Sequence, residues 1–138
     1  MGSLSKPGRI VSWICRLVAA AILLQTLFFK FSGAPESVYI FTQVHMEPWG
    51  RYGSGVAELI ASLLLVLPCY AWAGALLAIG VMLGAIGSHL TVLGVAVQND
   101  HGLLFGLALT VFVASIVTAI LHRRQIPFVS EYLKPQRA

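Results

Sequence analysis

Five polar side chains stand within or beside long apolar stretches, and their types suit proton exchange next to an oxygen atom. Glu58 and His89 are ionisable groups that can give up or take up a proton, and we predict them as catalytic residues. Lys30, Arg51 and Gln25 carry N–H donors, and we predict them as ligand-binding residues that stabilise negative charge on an oxygen. An apolar setting strengthens such interactions, because little water competes for the donors.

The spacing around Glu58 indicates that several of these groups share one helix face. Arg51, Gly55, Glu58 and Ser62 stand at positions i, i+4, i+7 and i+11. At about 3.6 residues per turn, this spacing keeps all four on one side, provided that the helix begins as early as Pro48. We therefore predict a polar face on an otherwise apolar helix.

The same groups are expected to lie at a similar depth in a membrane. If successive helices run in opposite directions, Lys30, Glu58 and His89 all reach the part of the bundle near the outer leaflet, with Gln25 somewhat deeper. We predict a polar pocket between the helices, centred on Glu58 and His89. Lys30 and Arg51 are its candidate counter-charges.

Each of these residues also has a structural explanation, which the sequence leaves open. Lys30 and Arg51 can extend to lipid headgroups. Glu58 can form a purely structural ion pair, and His89 can donate to a backbone carbonyl or a serine. Arg16 stands in the first apolar stretch, and we expect a structural role at the interface, with its side chain reaching the membrane surface or lipid phosphates.

The composition places these residues in a membrane protein. Apolar residues make up 58% of the 138 residues and charged residues 10%, against about 45–50% and 25% in soluble domains. This excludes an ordinary soluble enzyme, and no basic stripe interleaved with aromatic residues supports nucleic-acid binding. Cys15 and Cys69 lack metal-ligand spacing, so no metal site is predicted. Intrinsic haem is disfavoured, because His89 has no paired histidine at matching depth.

The apolar stretches predict an all-α fold, an integral membrane four-helix bundle forming a single membrane domain. Each stretch has about the length that crosses a bilayer. The predicted spans are approximately residues 11–31, 51–67, 71–95 and 103–121, followed by a short cytoplasmic tail over 122–138. The loop after the first span is expected to be partly structured and to lie at the interface, with a helical turn between Pro35 and Val44.

Basic residues flank the first and last spans and predict the orientation. Lys6 and Arg9 precede the first span, and Arg123 and Arg124 follow the last. The excess of Lys and Arg on cytoplasmic flanks predicts that both termini are cytoplasmic. As a separate expectation, the membrane is a bacterial inner membrane.

Several short motifs in order resemble the DoxX family of small four-helix membrane proteins. They are FFKFSG after Arg16, MEPWGRYGSGVAELIASLLLVLP, GAIGSHLTVLG and NDHGLLF, and the similarity extends from about Ile10 to Phe128. Some relatives resemble the membrane subunit of a thiosulfate:quinone oxidoreductase. Others associate with a superoxide dismutase and a sulfurtransferase-like partner in an oxidative-stress complex. Arg16, Lys30, Glu58 and His89 match recurrent polar positions of such proteins.

The resemblance and the polar pocket together predict a membrane component of an oxidoreductase or oxidative-stress system that binds a quinone. The chain has no redox-active cysteine pair, so a soluble or membrane redox protein would have to donate electrons, and no intrinsic cofactor is predicted. The alternatives are a non-enzymatic scaffold or lipid-binding protein and a proton-coupled carrier of small solutes. Besides the lipid bilayer, a second copy of the chain remains a potential partner, and a carrier of this size would require one.

Overall fold

The structure, a computed structural model, describes residues 4–134, and its regular elements are helical throughout that range. The long helices are α1 (Lys6–Phe31), α3 (Trp49–Val66), α4 (Ala71–Ser88) and α5 (Leu103–Leu121). The short helices are α2 (Pro35–Gln43) and α6 (Pro127–Leu133). A π-helical turn (His89–Leu93) continues α4, and a 3₁₀ turn (Arg123–Gln125) follows α5. The end of the predicted tail, residues 135–138, lies outside the described residues.

Local sequence signals account for the start of α1 and the end of α3. The Ser5 hydroxyl accepts a hydrogen bond from the Gly8 N–H, so α1 begins five residues earlier than the span predicted from hydropathy. At the end of α3, Leu67 is extended, as expected for a residue that precedes a proline. Pro68 therefore ends α3 near the predicted residue.

The third apolar stretch is not one uninterrupted α-helix. Its regular part ends at Ser88, and the π-helical turn carries the chain on to Leu93. Gly94 then adopts a φ of +78°, a left-handed conformation that glycine enters without steric cost. This change of helix type decides where the side chain of His89 points.

The four long helices pack in a ring, each against two neighbours, in the order α1, α3, α4, α5 and back to α1. Neighbouring helices are antiparallel, since the end of α3 meets the start of α4 at Gly74 and the start of α1 meets the end of α5 at Ser12. We call the end with Ser12 and His122 the terminal end, and the end with α2 and the π-helical turn the loop end. Small side chains allow close packing of the core: Ala19, Ala20, Leu23, Ala61, Leu65, Ala75, Ala78, Met82, Ala108, Val111 and Ala114.

Within residues 4–134, three helices are long and apolar enough to cross a membrane: α1, α4 with its π-helical turn, and α5. The predicted fourth span, α3, is less apolar, because it carries Arg51 and Glu58. Large apolar side chains cover the outside of the helices; Phe28, for example, is 71% exposed and Val113 58%. A surface of this kind is stable in lipid and unfavourable in water.

The loop after α1 is structured, as predicted from its residues. Pro35 occupies the first turn of α2, where its missing N–H has no helical partner to lose, and Glu36 follows in the same turn. The helix packs against α1, α3 and the π-helical turn. It therefore covers the loop end of the bundle, where most of the predicted site residues stand.

Candidate functional site

Glu58 is at the centre of the loop-end site and forms a buried ion pair with Lys30. The Lys30 ammonium donates to Glu58 Oε1, and the side chains are 15% and 3% exposed, respectively. The Thr26 hydroxyl donates to the other carboxylate oxygen, Oε2, at 2.9 Å. Both oxygens of Glu58 are thus hydrogen-bonded, which compensates part of the cost of removing the carboxylate from water.

Arg51 connects α3 to the end of α1 beside this pair. Its Nε donates to both carboxylate oxygens of Glu47 at 2.9 and 3.0 Å, and its Nη1 donates to the backbone carbonyl of Lys30. That carbonyl lies in the last turn of α1, where backbone carbonyls have no N–H partner within the helix. Arg51 therefore holds the backbone of Lys30 against α3, and Glu47 neutralises its charge.

Aromatic rings form the apolar part of the loop-end site. Phe31 stacks on Tyr52 with ring centroids 6.5 Å apart, and the Phe41 ring lies 5.9 Å from Lys30 Nζ. Gly55 permits this arrangement, since a Cβ atom there would come within 3.0 Å of the Phe31 ring. The Phe41 ring thus lies beside the lysine of the ion pair, and the Phe31 ring lies against Gly55, about one helical turn before Glu58.

The predicted polar face of α3 is confirmed. Arg51, Gly55, Glu58 and Ser62 are all buried, as the spacing required. The Ser62 hydroxyl donates to the Glu58 carbonyl at 2.7 Å and satisfies its own hydrogen-bonding requirement within the helix.

Gln25 does not join this site: its side chain is exposed on the outside of α1. Thr26 takes the place expected for it, because Thr26 and Lys30 are four residues apart and share a face, whereas Gln25 is turned about 100° away. Sequence reasoning also missed Glu47. In both cases the spacing of four residues could have indicated the missed residue, because residues at i and i+4 are neighbours on a helix. Thr26 stands four residues before Lys30, and Glu47 stands four residues before Arg51.

His89 is buried at the loop end, but it is not hydrogen-bonded to Glu58. The hydrogen-bond partners of the Glu58 carboxylate are Lys30 and Thr26. His89 Nδ1 donates to the Gly94 carbonyl at 2.9 Å, and its ring meets Phe105 edge-on with centroids 5.4 Å apart. The reason is the π-helical turn, which brings the carbonyl at its end within reach of the ring. The predicted pairing of Glu58 with His89 is therefore not the arrangement in the structure.

Asp100 organises the loop before α5. Its carboxylate accepts backbone N–H groups of Val97, Gly102 and Leu104 at 2.8–3.1 Å. Burial by itself would raise the pKa of Asp100, but these donors and the nearby His89 outweigh burial and hold the pKa below its usual 3.8. The ionised carboxylate thus accepts hydrogen bonds at the start of α5, where the first backbone N–H groups have no acceptor within the helix.

A second polar cluster lies at the terminal end of the bundle. Ser12 Oγ and His122 Nε2 are hydrogen-bonded at 2.7 Å, and Arg16 Nε donates to the Leu65 carbonyl. Arg16 is only 2% exposed, and the Trp13 ring lies 3.8 Å from its guanidinium carbon. Arg16 does not extend to the membrane surface as expected, because position 16 faces the bundle interior together with Ser12.

Lowering the pH is expected to destabilise the protein through His122. Burial, and secondarily the charge of Arg16, lowers the pKa of His122 below 6.5, although a hydrogen bond with Gln125 opposes this. The unfolded chain then binds the proton more readily, so the penalty is absent above about pH 6.5 and grows as the pH falls towards the folded-state pKa. Thermal unfolding at about pH 7.5 and 5.5 should show a larger loss of Tm in wild type than in His122→Gln. Equal losses would contradict this.

The apolar exterior, the span-length helices and the buried ion pairs define a small helical membrane protein. The family model of DoxX matches residues 11–94, more than half of the chain, and the protein belongs to the DoxX family. The matched region contains Arg16, Lys30, Arg51, Glu58 and His89. No curated protein and no solved structure matches the chain.

Proposed function

We propose that this DoxX protein is a membrane component of an oxidoreductase or oxidative-stress system and that its loop-end site binds a quinone. The observation that supports the proposal most is the buried Lys30–Glu58 ion pair, with the Phe41 ring beside Lys30 and the Phe31 ring against Gly55 of the same α3 face. Charged groups inside a membrane protein are costly, and they commonly mark ligand or proton pathways.

The residues present suit a quinone in both parts of its structure. A quinone has a flat ring, which suits the aromatic surfaces of Phe31, Phe41 and Tyr52. Its carbonyl oxygens accept hydrogen bonds, and Lys30 is a donor whose charge would stabilise negative charge on such an oxygen. Glu58 can take up and release protons next to Lys30.

A bound quinone accepts two electrons and two protons when it is reduced to the quinol. Glu58 and Lys30 would transfer protons, and a redox protein partner would supply the electrons. The described residues contain no cluster of three or more His, Cys, Asp or Glu side chains able to hold a metal ion, and Cys15 and Cys69 are free thiols.

For the membrane arrangement, we infer that α3 is a fourth span and that both termini are cytoplasmic. The antiparallel ring supports this, because α3 lies beside α1 and α4 over most of its length. The terminal end carries four basic residues, Lys6, Arg9, Arg123 and Arg124. Because cytoplasmic flanks carry an excess of Lys and Arg, this supports a cytoplasmic position of the terminal end. In a bacterial inner membrane, the loop-end site would then open towards the outer leaflet.

The quinone content of gently purified protein tests the proposed ligand. We expect wild type to carry quinone and Glu58→Gln to retain about tenfold less, because a neutral amide no longer holds the Lys30 ammonium in place by a charge-assisted hydrogen bond. Gln25→Ala is the matched control, because Gln25 is a polar residue of the same membrane region whose side chain is exposed. Mass spectrometry and the absorption spectrum of the extracted small molecules provide the measurement.

Equal quinone content in wild type and Glu58→Gln would contradict the proposal. If Glu58→Gln folds poorly, the double variant Lys30→Met/Glu58→Leu removes both charges and keeps an apolar packing of similar size. That variant should keep its helical circular dichroism and lose the quinone.

A non-enzymatic scaffold or lipid-binding protein is the second candidate. One observation favours it: both oxygens of Glu58 already have partners within the protein, as a purely structural ion pair would. In that case Glu58→Gln would reduce stability without changing the content of any bound chromophore. A protein partner would then co-purify with wild type without electron transfer to quinone.

A further inference from the structure

Arg16 at the terminal end is a buried charge without an acidic partner among the described residues. The ion pairs within residues 4–134 are Lys30 with Glu58 and Arg51 with Glu47, and both lie at the loop end. An arginine side chain does not lose its proton in proteins, so Arg16 cannot escape the cost of burial by becoming neutral. A buried charge of this kind requires compensation by an opposite charge.

Two buried polar atoms near this end have no hydrogen-bond partner within residues 4–134: Arg16 Nη2 and Ser115 Oγ. Ser115 is 0% exposed, and its hydroxyl does not make the i−4 carbonyl bond that Thr110 and Thr118 make on the same helix. Leaving such donors unpaired in the interior is unfavourable, because they have lost their hydrogen bonds to water. Both atoms therefore indicate an acceptor that comes from outside the chain.

The helices place the two donors on facing elements. Ser115, Thr118 and His122 follow one another at intervals of three and four residues and share one face of the α5 segment. Ser12 and Arg16 share the inner face of α1: Ser12 is hydrogen-bonded to His122, which fixes the register between α1 and α5, and Arg16 Nε donates to the Leu65 carbonyl of the neighbouring α3. The cluster has donors from both helices and no carboxylate to repel an anion.

We propose that this terminal-end cluster is a binding site for a phosphate group, supplied by a lipid headgroup or by free phosphate. Arginine recognises phosphate through paired N–H donors, and Arg16 still has donors to offer after its bond to Leu65. The serine hydroxyl of Ser115 adds a neutral donor. The proposal is independent of the quinone site, which lies at the other end of the bundle.

Trp13 covers Arg16 in this structure. Its ring stacks on the guanidinium at 3.8 Å and is itself 40% exposed, so it lies between Arg16 and the surroundings. A phosphate reaches Arg16 when this ring rotates away. The cation–π contact favours the position of the ring over the guanidinium.

Thermal unfolding of the delipidated full chain in a neutral detergent tests the proposal. The probes are inorganic phosphate and a short-chain phosphatidylglycerol, each compared with sodium chloride at equal ionic strength. We expect one of them to raise the Tm of wild type by about 3–6 °C near saturation and to leave Arg16→Gln unchanged. Arg9→Gln is the matched control, because it removes an exposed arginine from the same helix.

The outcome also identifies the source of the phosphate. A response to inorganic phosphate indicates a free anion, and a response to phosphatidylglycerol alone indicates a lipid headgroup. No response to either probe in wild type overturns the proposal. An equal loss of response in Arg9→Gln and Arg16→Gln also overturns it, since that would reflect general charge attraction.

Ser115→Ala and Trp13→Ala keep the proposal testable if Arg16→Gln fails to fold. Ser115→Ala should leave the unbound protein equally stable or more stable, yet raise the half-maximal phosphate concentration about tenfold. Trp13→Ala should lower that concentration, because it uncovers the guanidinium. If neither variant changes the half-maximal concentration, phosphate does not bind here and the proposal is overturned.

Discussion

Replacement of Lys30 by Met is expected to lower the free energy of unfolding by about 3–5 kcal/mol. The substitution removes the counter-charge of Glu58, whose side chain is 3% exposed and cannot reach water from its position on α3. Thr26 remains as a donor to one carboxylate oxygen, at 2.9 Å, but a single hydroxyl does not neutralise the charge. Unfolding by titration with a denaturing detergent, followed by circular dichroism, measures the change.

Two further variants separate the effect of the ion pair from that of losing any lysine. Lys6→Met removes an exposed lysine at the start of the same helix and should change stability by about 0.5 kcal/mol or less. Lys30→Met/Glu58→Leu should recover most of the loss, because an apolar pair needs no charge compensation. A loss below about 1 kcal/mol in Lys30→Met would show that water reaches Glu58 and would contradict the buried ion pair.

Replacement of Gly74 by Ala is expected to cost about 1–3 kcal/mol through steric overlap between α3 and α4. A Cβ atom at position 74 would lie 2.7 Å from the Leu65 amide nitrogen and 2.8 Å from the Ala61 carbonyl oxygen. These are backbone atoms of a regular helix and cannot move aside as a flexible side chain can. The two helices must therefore separate at the point where Leu65 also holds Arg16.

Gly80→Ala is the matched control for Gly74→Ala. It makes the same chemical change in the same helix, but a Cβ atom at position 80 would meet no other atom within 4 Å. Alanine is the better helix former by about 1 kcal/mol, so this variant should be neutral or slightly stabilised. Equal effects of the two substitutions in the same detergent titration would contradict the close contact of α3 and α4.

The polar face of α3 illustrates what residue spacing can predict. Arg51, Gly55, Glu58 and Ser62 are buried together because a helix of about 3.6 residues per turn places them on one side whatever surrounds it. The helix within Pro35–Val44 was predictable for a similar reason, since its proline and acidic residue favour a helix start. Such predictions depend on residues that are neighbours in the chain.

His89 and Gln25 illustrate the limit of that approach. Their predicted depth in the membrane suggested a pocket shared with Glu58, but this depth does not determine the direction in which a side chain points. The π-helical turn directs His89 to the Gly94 carbonyl, and the rotation of α1 exposes Gln25 and brings Thr26 to Glu58. A difference of one residue on a helix turns a side chain by about 100°, which separates the core from the lipid side.

The sequence by itself determined that this protein is helical and apolar, that it has span-length segments, and that charges interrupt them at definite positions. Composition and helical period are local properties, so they could be read without a structure. Only the tertiary structure decided that Lys30 pairs with Glu58, that Arg51 holds the end of α1, and that Arg16 is buried against α3. These contacts join residues 21–49 positions apart, and the relative rotation and register of packed helices decide them.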